Sequence, residues 1–287
     1  MAQARRPIIL AHGIARFDAP IFKATQFLGN LGINFGDRYN YFKGIKSYLE
    51  KNGYEVHLTE VDFAGSVEKR SQQLAEQVRK IAGAVKVDII AHSMGGLDAR
   101  HMIVDIPGMA DKVASLTTIG TPHLGSPVAD AVAAGDPGAI KLLKPIFDLT
   151  GIRDLTTESC EKFNARAKLS EGNNAVVYRA YAASEEAGKM VPPLAQLSAL
   201  FFTTPNDGAV SVKSQLWKSS LPASDGIGKP VGQLDFGVPA DHLNELGWWD
   251  PLESSGWELI FGAPAAARTY EDSIKAIYLQ MAQAVQP

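Results

Sequence analysis

Short apolar runs alternate with longer amphipathic stretches along the first 120 residues. The first apolar run, 7–11, lacks alternating polar residues, so it predicts a strand buried on both faces, as in a parallel sheet. The longer stretches place apolar residues three and four positions apart, which predicts helices. This order predicts a mostly parallel sheet flanked by helices on both faces. The predicted strands are 7–11, 54–61, 87–91 and 115–120, and the predicted helices are 41–52, one that Ser66 caps, and 94–105.

The pattern changes in the middle third of the chain. Residues 126–170 read as helical pieces interrupted by glycine and proline, with the clearest helix at 156–168. An insertion of this kind predicts a helical cap or lid, and the alternative is a plain helical layer of the core. The remaining predicted elements are a strand at 175–182, an apolar piece at 191–202, a turn at 203–208, a short β-branched piece at 210–212, a long surface loop at 218–240 and a final helix at about 268–284.

Residues 15–40 show no clear period but are rich in aromatic side chains. A long apolar loop is often functional, so this one is a candidate wall of a substrate pocket. The alternative is a packed insertion that covers the core. The aromatic residues are Phe17, Phe22, Phe27, Phe35 and Tyr39.

One strand-to-helix junction carries a serine in a sharp turn. The sequence is Ala91-His92-Ser93-Met94-Gly95, which differs from Gly-x-Ser-x-Gly only by alanine at the first position. Small residues are needed there because the turn brings backbone segments close together. The pattern predicts that Ser93 stands above the sheet as a nucleophile, whereas the alternative is a serine that only caps the following helix.

A serine nucleophile needs a base, and the base needs an acid that orients it. In doubly wound hydrolases the chain order is serine, acid, histidine. Among the six histidines, His242 lies in a late loop and leaves room for an acid before it. Elimination of the other five therefore selects His242 as the base.

The expected acid is Asp207, because the tight turn Asn-Asp-Gly fixes the direction of its carboxylate. Asp235 is the reserve, and Asp225 lies in the same loop-like stretch. Asp241 also precedes His242, but it is too close along the chain to reach back to the Nδ1 atom easily.

Ester hydrolysis passes through an oxyanion, on which two N–H donors should converge. One is the backbone N–H of Met94, the residue after the nucleophile. The other should come from the loop after the first strand, His12-Gly13-Ile14, which selects the N–H of Ile14.

Composition narrows the class of protein. The chain has 287 residues, of which 46% are hydrophobic and 21% charged, as in an ordinary globular domain. The net charge of −3 gives no indication of a nucleic-acid partner. No apolar run is long enough to span a bilayer, and the first residues lack the apolar core of a signal peptide. We therefore expect either a cytoplasmic protein or one whose leader has been removed. The single cysteine, Cys160, allows no internal disulfide.

These pieces together resemble the bacterial true lipases, the secreted triacylglycerol lipases of the α/β-hydrolase superfamily. The matching segments occur in the family's order and span nearly the whole chain, although the residues between them match loosely. The alanine before the nucleophile resembles a variant that some small bacterial lipases carry. The matching segments are 7–14, 91–96, 120–126, 206–208 and 241–245.

The resemblance implies a Ser93–His242–Asp207 triad, an oxyanion hole at Ile14 and Met94, and a lid in the middle third. It also implies a lipid or ester substrate, with contact between the lid and a lipid–water interface. The chain departs from the family in two respects. The family's disulfide cannot form, and Asn244 stands where many members carry an aspartate of a structural calcium site. An amide brings no charge to calcium, so we expect activity that survives a chelator and no required cofactor.

We therefore predict a single α/β-hydrolase domain over residues 1–287, with a cap at about 126–170. The expected activity is that of a lipase or carboxylesterase. An acyltransferase or a phospholipase would use the same triad and remains an alternative. The remote alternative is a non-catalytic binding protein, which the intact triad residues disfavour.

Overall fold

The computed structural model describes residues 5–14, 41–62, 65–144, 149–248 and 265–286, with side chains from residue 268 in the last range. The aromatic stretch 15–40, proposed above as a pocket wall, lies outside the described residues.

Seven strands of the described chain form one sheet in the order β2-β1-β3-β4-β5-β7-β6. All neighbouring pairs are parallel except β6 and β7, which are antiparallel. The prediction of a mostly parallel sheet is confirmed. The strands are β1 (Ile8–Ala11), β2 (Val56–Leu58), β3 (Val87–His92), β4 (Val113–Ile119), β5 (Val177–Ala182), β6 (Ser220–Leu221) and β7 (Lys229–Asp235).

Helices cover both faces of this sheet. Ser66 caps the second of them by accepting a hydrogen bond from the Lys69 N–H, as predicted. The α-helices of the described residues are α1 (Ile45–Lys51), α2 (Val67–Ala82), α3 (Met94–Asp105), α4 (Pro127–Ala133), α5 (Pro137–Leu143), α6 (Thr157–Asn173), α7 (Pro192–Leu197), α8 (Val212–Leu216) and α9 (Ala265–Val285).

The first strand shows why a strand in the middle of the sheet can lack polar residues altogether. Ile9 packs with Leu74 of α2 and Met102 of α3 on one face. Ile8 packs on the opposite face with Tyr278 of α9. Because both faces are buried, the alternation expected of a half-exposed strand is absent.

The prediction of a long surface loop at 218–240 is wrong, because β6 and β7 lie within it. In β7, Val231 is buried, whereas most of its neighbours are partly or fully exposed. Pro230 is tolerated because β7 pairs on one side only with the two-residue strand β6. The sequence of β7 therefore looks like that of a loop.

Several predicted boundaries also differ from the structure. Strand 54–61 is shortened to Val56–Leu58, and helix 41–52 begins at Ile45. The helix predicted at 156–168 continues to Asn173. The β-branched piece at 210–212 leads into α8 rather than forming a strand. Helical preferences are weak signals that tertiary packing overrides.

Besides the apolar side chains on the two faces of the sheet, a separate apolar cluster lies over the carboxyl end of β3. It joins Ile14 and Met94 to side chains of the helices between β4 and β5 and of the segment that follows β5. Its members from those helices include Val128, Leu143 and Leu155. The predicted cap region therefore contributes apolar side chains around the turn that holds Ser93.

Candidate active site

The turn between β3 and α3 holds Ser93 in a strained conformation, with φ of 56° and ψ of −132°. A positive φ is unusual for a residue that carries a side chain, and strain of this kind clusters at functional sites. The turn also brings backbones together. A Cβ atom on Gly95 would lie 2.6 Å from the carbonyl oxygen of Ala11. The small residue predicted after the serine is therefore required by the packing of β1 against α3.

Two hydrogen bonds join the three residues that the sequence selected. The Nε2 atom of His242 lies 2.9 Å from Oγ of Ser93. Its Nδ1 atom lies 2.8 Å from Oδ2 of Asp207. All three side chains are buried, which keeps water away from these bonds. Such an arrangement can remove the proton of the serine hydroxyl while the carboxylate orients the imidazole.

The carboxylate of Asp207 is held by three further donors. Its Oδ1 atom accepts hydrogen bonds from the backbone N–H groups of Ala209 at 2.8 Å and Val210 at 2.6 Å. Its Oδ2 atom accepts a hydrogen bond of 3.1 Å from Nε2 of Gln215. The turn thus fixes the direction of the carboxylate, as the Asn-Asp-Gly pattern predicts. Gln215 was not anticipated, since no sequence signal marks this glutamine of a five-residue helix.

The other aspartates considered for this role have different partners. Asp235 accepts from the N–H of Gly237, and Asp225 from that of Ile227. Asp241 accepts from the backbone N–H groups of Val191, Leu243 and Asn244. Burial raises the pKa of Asp241 to about 6. The structure thus joins Asp207, and neither the reserve Asp235 nor the others, to the histidine.

The loop that should supply the second oxyanion donor lies directly against the serine. A Cβ atom on Gly13 would lie 2.6 Å from Cβ of Ser93. Ile14 lines the same cavity as Ser93, and Met94 begins α3 immediately after it. Both predicted donors therefore belong to the immediate surroundings of the serine.

A buried arginine that the sequence analysis did not select holds this loop. The Nη2 atom of Arg70 donates a hydrogen bond of 2.8 Å to the carbonyl of His12. The same guanidinium is paired with Asp98 at 2.7 Å. The ring of His12 accepts from the N–H of Val61 at 3.2 Å. Burial, with Arg70 nearby, lowers the pKa of His12 to about 3, so its ring stays neutral and can accept.

A second histidine and a glutamate lie behind the histidine that contacts the serine. His92 takes no part in the bonds to Ser93, but its ring packs on that of His242 with 4.6 Å between centroids. Its Nε2 atom lies 2.8 Å from Oε2 of Glu245, and its Nδ1 atom 2.7 Å from the hydroxyl of Tyr41. His92 therefore contacts His242 and Glu245 rather than Ser93.

Glu245 is a fully buried carboxyl group close to other acids. Burial, followed by the negative charges of Asp207 and Asp241, raises its pKa well above the usual value. Its Oε2 atom lies 3.9 Å from Nδ1 of His242. A Cβ atom on Gly120 would lie 2.2 Å from the same oxygen, which explains the glycine at φ of 57° there. These surroundings therefore favour the protonated form of Glu245 more than water does.

A small apolar cavity opens beside Ser93 and His242. Apolar walls suit the hydrocarbon part of a ligand, while the two polar side chains mark the reactive end. The remaining lining residues come from the loop after β1, the loop before α4, the helices α4 and α5, the 3-10 helix Ile152–Leu155 and the turn after Asp207. They are Ile14, Pro122, Ser126, Val128, Ala129, Leu143, Ile152, Leu155, Ala209 and Val210.

The residues near His242 do not fit a structural calcium ion. The Asp241 carboxylate accepts three backbone N–H groups, so its oxygens already have donors. The Nδ2 atom of Asn244 donates to the carbonyl of Trp248 at 2.6 Å. Calcium needs several oxygen ligands that face one point. Here backbone N–H donors already face the Asp241 carboxylate, so it offers little to a cation.

Cys160 lies on α6 and is buried. Its Sγ atom donates to the carbonyl of Pro122 at 3.3 Å. Burial raises the pKa of this thiol to about 12, which leaves it unreactive. No helix among the described residues is both long enough and apolar enough to cross a bilayer.

Comparison with known proteins gives three kinds of similarity. A family model described as a PGAP1-like alpha/beta domain matches residues 64–134. The chain is 31% identical over 250 residues to a triacylglycerol lipase of Vibrio cholerae. This match covers 74% of this chain and 74% of that lipase. It is 29% identical over 293 residues to triacylglycerol lipase 2 of Saccharomyces cerevisiae, covering 90% of this chain and 84% of that protein.

Among solved structures, the chain is similar to a metagenomic carboxyl esterase. The TM-score is 0.65 at 18% sequence identity, and the match covers 98% of this chain and 77% of the esterase. At this identity the similarity concerns the fold alone.

Proposed function

This chain belongs to the triacylglycerol lipase family of the α/β-hydrolase superfamily, and on that premise we propose that it hydrolyses fatty acyl esters through an acyl-enzyme on Ser93. It is a carboxylic ester hydrolase of the lipase and esterase class. Its substrates are lipids or other esters. The roles of individual residues are our proposal.

In the first half-reaction, Nε2 of His242 accepts the proton of the Ser93 hydroxyl as Oγ attacks the ester carbonyl. Asp207 keeps the imidazole in the required tautomer and stabilises the imidazolium that forms. The N–H groups of Met94 and Ile14 stabilise the oxyanion. His242 then gives the proton to the leaving alcohol, and Ser93 retains the acyl group.

In the second half-reaction, water attacks the acyl-enzyme. His242 takes a proton from the water, and the fatty acid leaves as Ser93 regains its own proton. The acyl chain occupies the apolar cavity beside Ser93. The helices of the predicted cap, about 126–170, form the wall of that cavity through side chains such as Val128 and Leu143. We propose that this cap acts as a lid at a lipid–water interface.

The observation that carries this proposal is the continuous pair of hydrogen bonds from Asp207 through His242 to Ser93 at the mouth of an apolar cavity. The test is hydrolysis of p-nitrophenyl esters from short to long acyl chains. We expect Ser93→Ala to lower kcat by at least about a thousandfold on every chain length. The chain-length profile of the wild type then separates a lipase from an esterase.

Equal activity of the wild type and Ser93→Ala would contradict this mechanism. The control is Ser224→Ala, an exposed serine in the turn between β6 and β7. Its activity should stay close to that of the wild type. Product analysis in the presence of added alcohols distinguishes hydrolysis from acyl transfer, since a transferase would form new esters rather than free acid.

A further inference from the structure

The segment from Met190 to Asn206 carries no charged residue, although 21% of the whole chain is charged. Absence of charge is ordinary in a buried strand, but this segment is largely at the surface. It contains α7 and a 3-10 helix, Ser198–Phe201. Its exposed positions are Pro192, Gln196, Ala199, Leu200, Phe202, Thr203, Thr204 and Pro205.

Phe202 is the most exposed large apolar side chain of the described residues, at 92%. Leu200, two residues earlier, is 37% exposed. Phe202 also ends the 3-10 helix in a strained conformation, with φ of 55° and ψ of −111°. An exposed phenylalanine at positive φ stabilises neither the core nor the turn. Glycine or asparagine would adopt this backbone at lower cost.

The opposite face of the segment packs on the wall of the substrate cavity. Leu194, Leu197 and Phe201 belong to the same buried cluster as Leu143, which lines the cavity. The segment is also tied to the triad loops. The N–H of Val191 donates to Asp241 at 2.7 Å, and Asp241 precedes His242.

The other end of the segment leads directly into Asp207. A Cβ atom on the following residue, Gly208, would lie 2.6 Å from Cβ of Leu194. The segment is therefore continuous with the catalytic acid at one end and bonded to the loop of His242 at the other. A molecule that contacts the outer face of this segment therefore lies beside the candidate active site.

We propose that the segment Met190–Asn206 is the surface through which this enzyme adsorbs to an aggregated, uncharged ester lipid, with Phe202 as its main apolar anchor. The inference rests on the proposed function, because a water-insoluble ester requires the enzyme to reach a lipid surface. Exposed apolar groups at such a site mark contact with a membrane or a partner. An anionic surface would instead be matched by clustered lysine and arginine, which this segment lacks.

The test compares Phe202→Asn with the matched control Ile227→Asn. Ile227 is 87% exposed but lies in the turn between β6 and β7. Adsorption to a triolein emulsion is measured by co-flotation, beside hydrolysis of soluble p-nitrophenyl butyrate. Because burying a phenylalanine side chain changes a binding constant by roughly ten- to a hundredfold, we expect Phe202→Asn to lose adsorption by that factor. Soluble ester hydrolysis and melting temperature should not fall.

The control should adsorb like the wild type. Unchanged adsorption of Phe202→Asn, or an equal loss in Ile227→Asn, would overturn the proposal. So would a parallel loss of p-nitrophenyl butyrate hydrolysis, which would place Phe202 in the site itself. Binding that appears only with phosphatidylserine vesicles and disappears with salt would overturn the choice of an uncharged lipid.

Adsorption is also measured with Ser93→Ala, alone and combined with Phe202→Asn. Comparing these two inactive proteins measures the effect of Phe202 on adsorption without lipid hydrolysis. If ester hydrolysis through Ser93 failed while Phe202→Asn still abolished adsorption, the proposed mechanism would fall and the lipid surface would stand. If Ser93 proved necessary for ester hydrolysis but adsorption did not depend on Phe202, the proposed mechanism would stand and the proposed lipid surface would fall.

Discussion

The side-chain amide of Gln215 donates to Oδ2 of Asp207, the oxygen that also faces Nδ1 of His242. The same amide is anchored to Ala183, just beyond β5, by two backbone hydrogen bonds of 2.8 and 3.0 Å. Gln215 thereby attaches Asp207, which follows a helical segment, to the end of the sheet.

The first prediction concerns Gln215→Ala. Because the acid would lose one donor and its anchor to the sheet, we expect kcat to fall roughly tenfold to a hundredfold, with little change in KM. Gln233→Ala is the matched control, since the amide of Gln233 bonds only backbone carbonyls such as that of Leu216. A rise in KM without a fall in kcat would show that Gln215 does not position the acid.

The second prediction concerns the charge of Glu245. Since burial raises the pKa of Glu245 and favours its protonated form, Glu245→Gln should retain most of kcat/KM on a soluble ester. Glu245→Ala should lower the free energy of unfolding by about 1–3 kcal/mol, because it leaves the Nε2 atom of His92 without its partner. Near-complete loss of activity in Glu245→Gln would mean that an ionised carboxylate is needed.

The third prediction is the pH dependence of the same pair of proteins. A carboxyl whose pKa is raised in the folded state stabilises the fold below the unfolded-state pKa, near 4.5. That contribution is lost as pH rises towards the folded-state pKa. Glutamine does not titrate. The melting temperature of Glu245→Gln minus that of the wild type should therefore increase as the pH rises from 4.5 to 8. A constant difference across this range would contradict a raised pKa.

The fourth prediction is insensitivity to chelators. Because N–H donors already face the Asp241 carboxylate and the Asn244 amide donates to Trp248, EDTA should change neither ester hydrolysis nor the melting temperature. Asn244→Ala, which removes the hydrogen bond to Trp248, should lower the melting temperature equally with and without added calcium. If EDTA removed most of the activity and added calcium restored it, a calcium site would exist.

The fifth prediction concerns Cys160. Its pKa of about 12 leaves almost no thiolate at pH 8. The native enzyme should therefore not react with a thiol reagent such as Ellman's reagent, whereas the protein in guanidinium chloride should release one equivalent. Stoichiometric labelling of the native protein would contradict the buried position of the thiol.

Much of the fold and the central residues could be predicted from the sequence. The order of strands and helices up to residue 120 follows from local periodicity, because each buried strand and amphipathic helix carries its own pattern. Ser93 was identifiable because its tight turn admits only small neighbours. His242 and Asp207 followed from chain order, although the distance between them is a property of the folded chain.

The tertiary structure alone decided how that triad is supported. Gln215, Glu245 and Arg70 have no local signal, since each acts through a partner at least eight residues away along the chain. The strand β7 escaped prediction because only one of its seven residues, Val231, is buried. The sequence by itself determined which residues are chemically able to react, because that depends on residue type and local turns. Only folding decided which distant groups hold them, because burial and hydrogen bonding depend on what packs nearby.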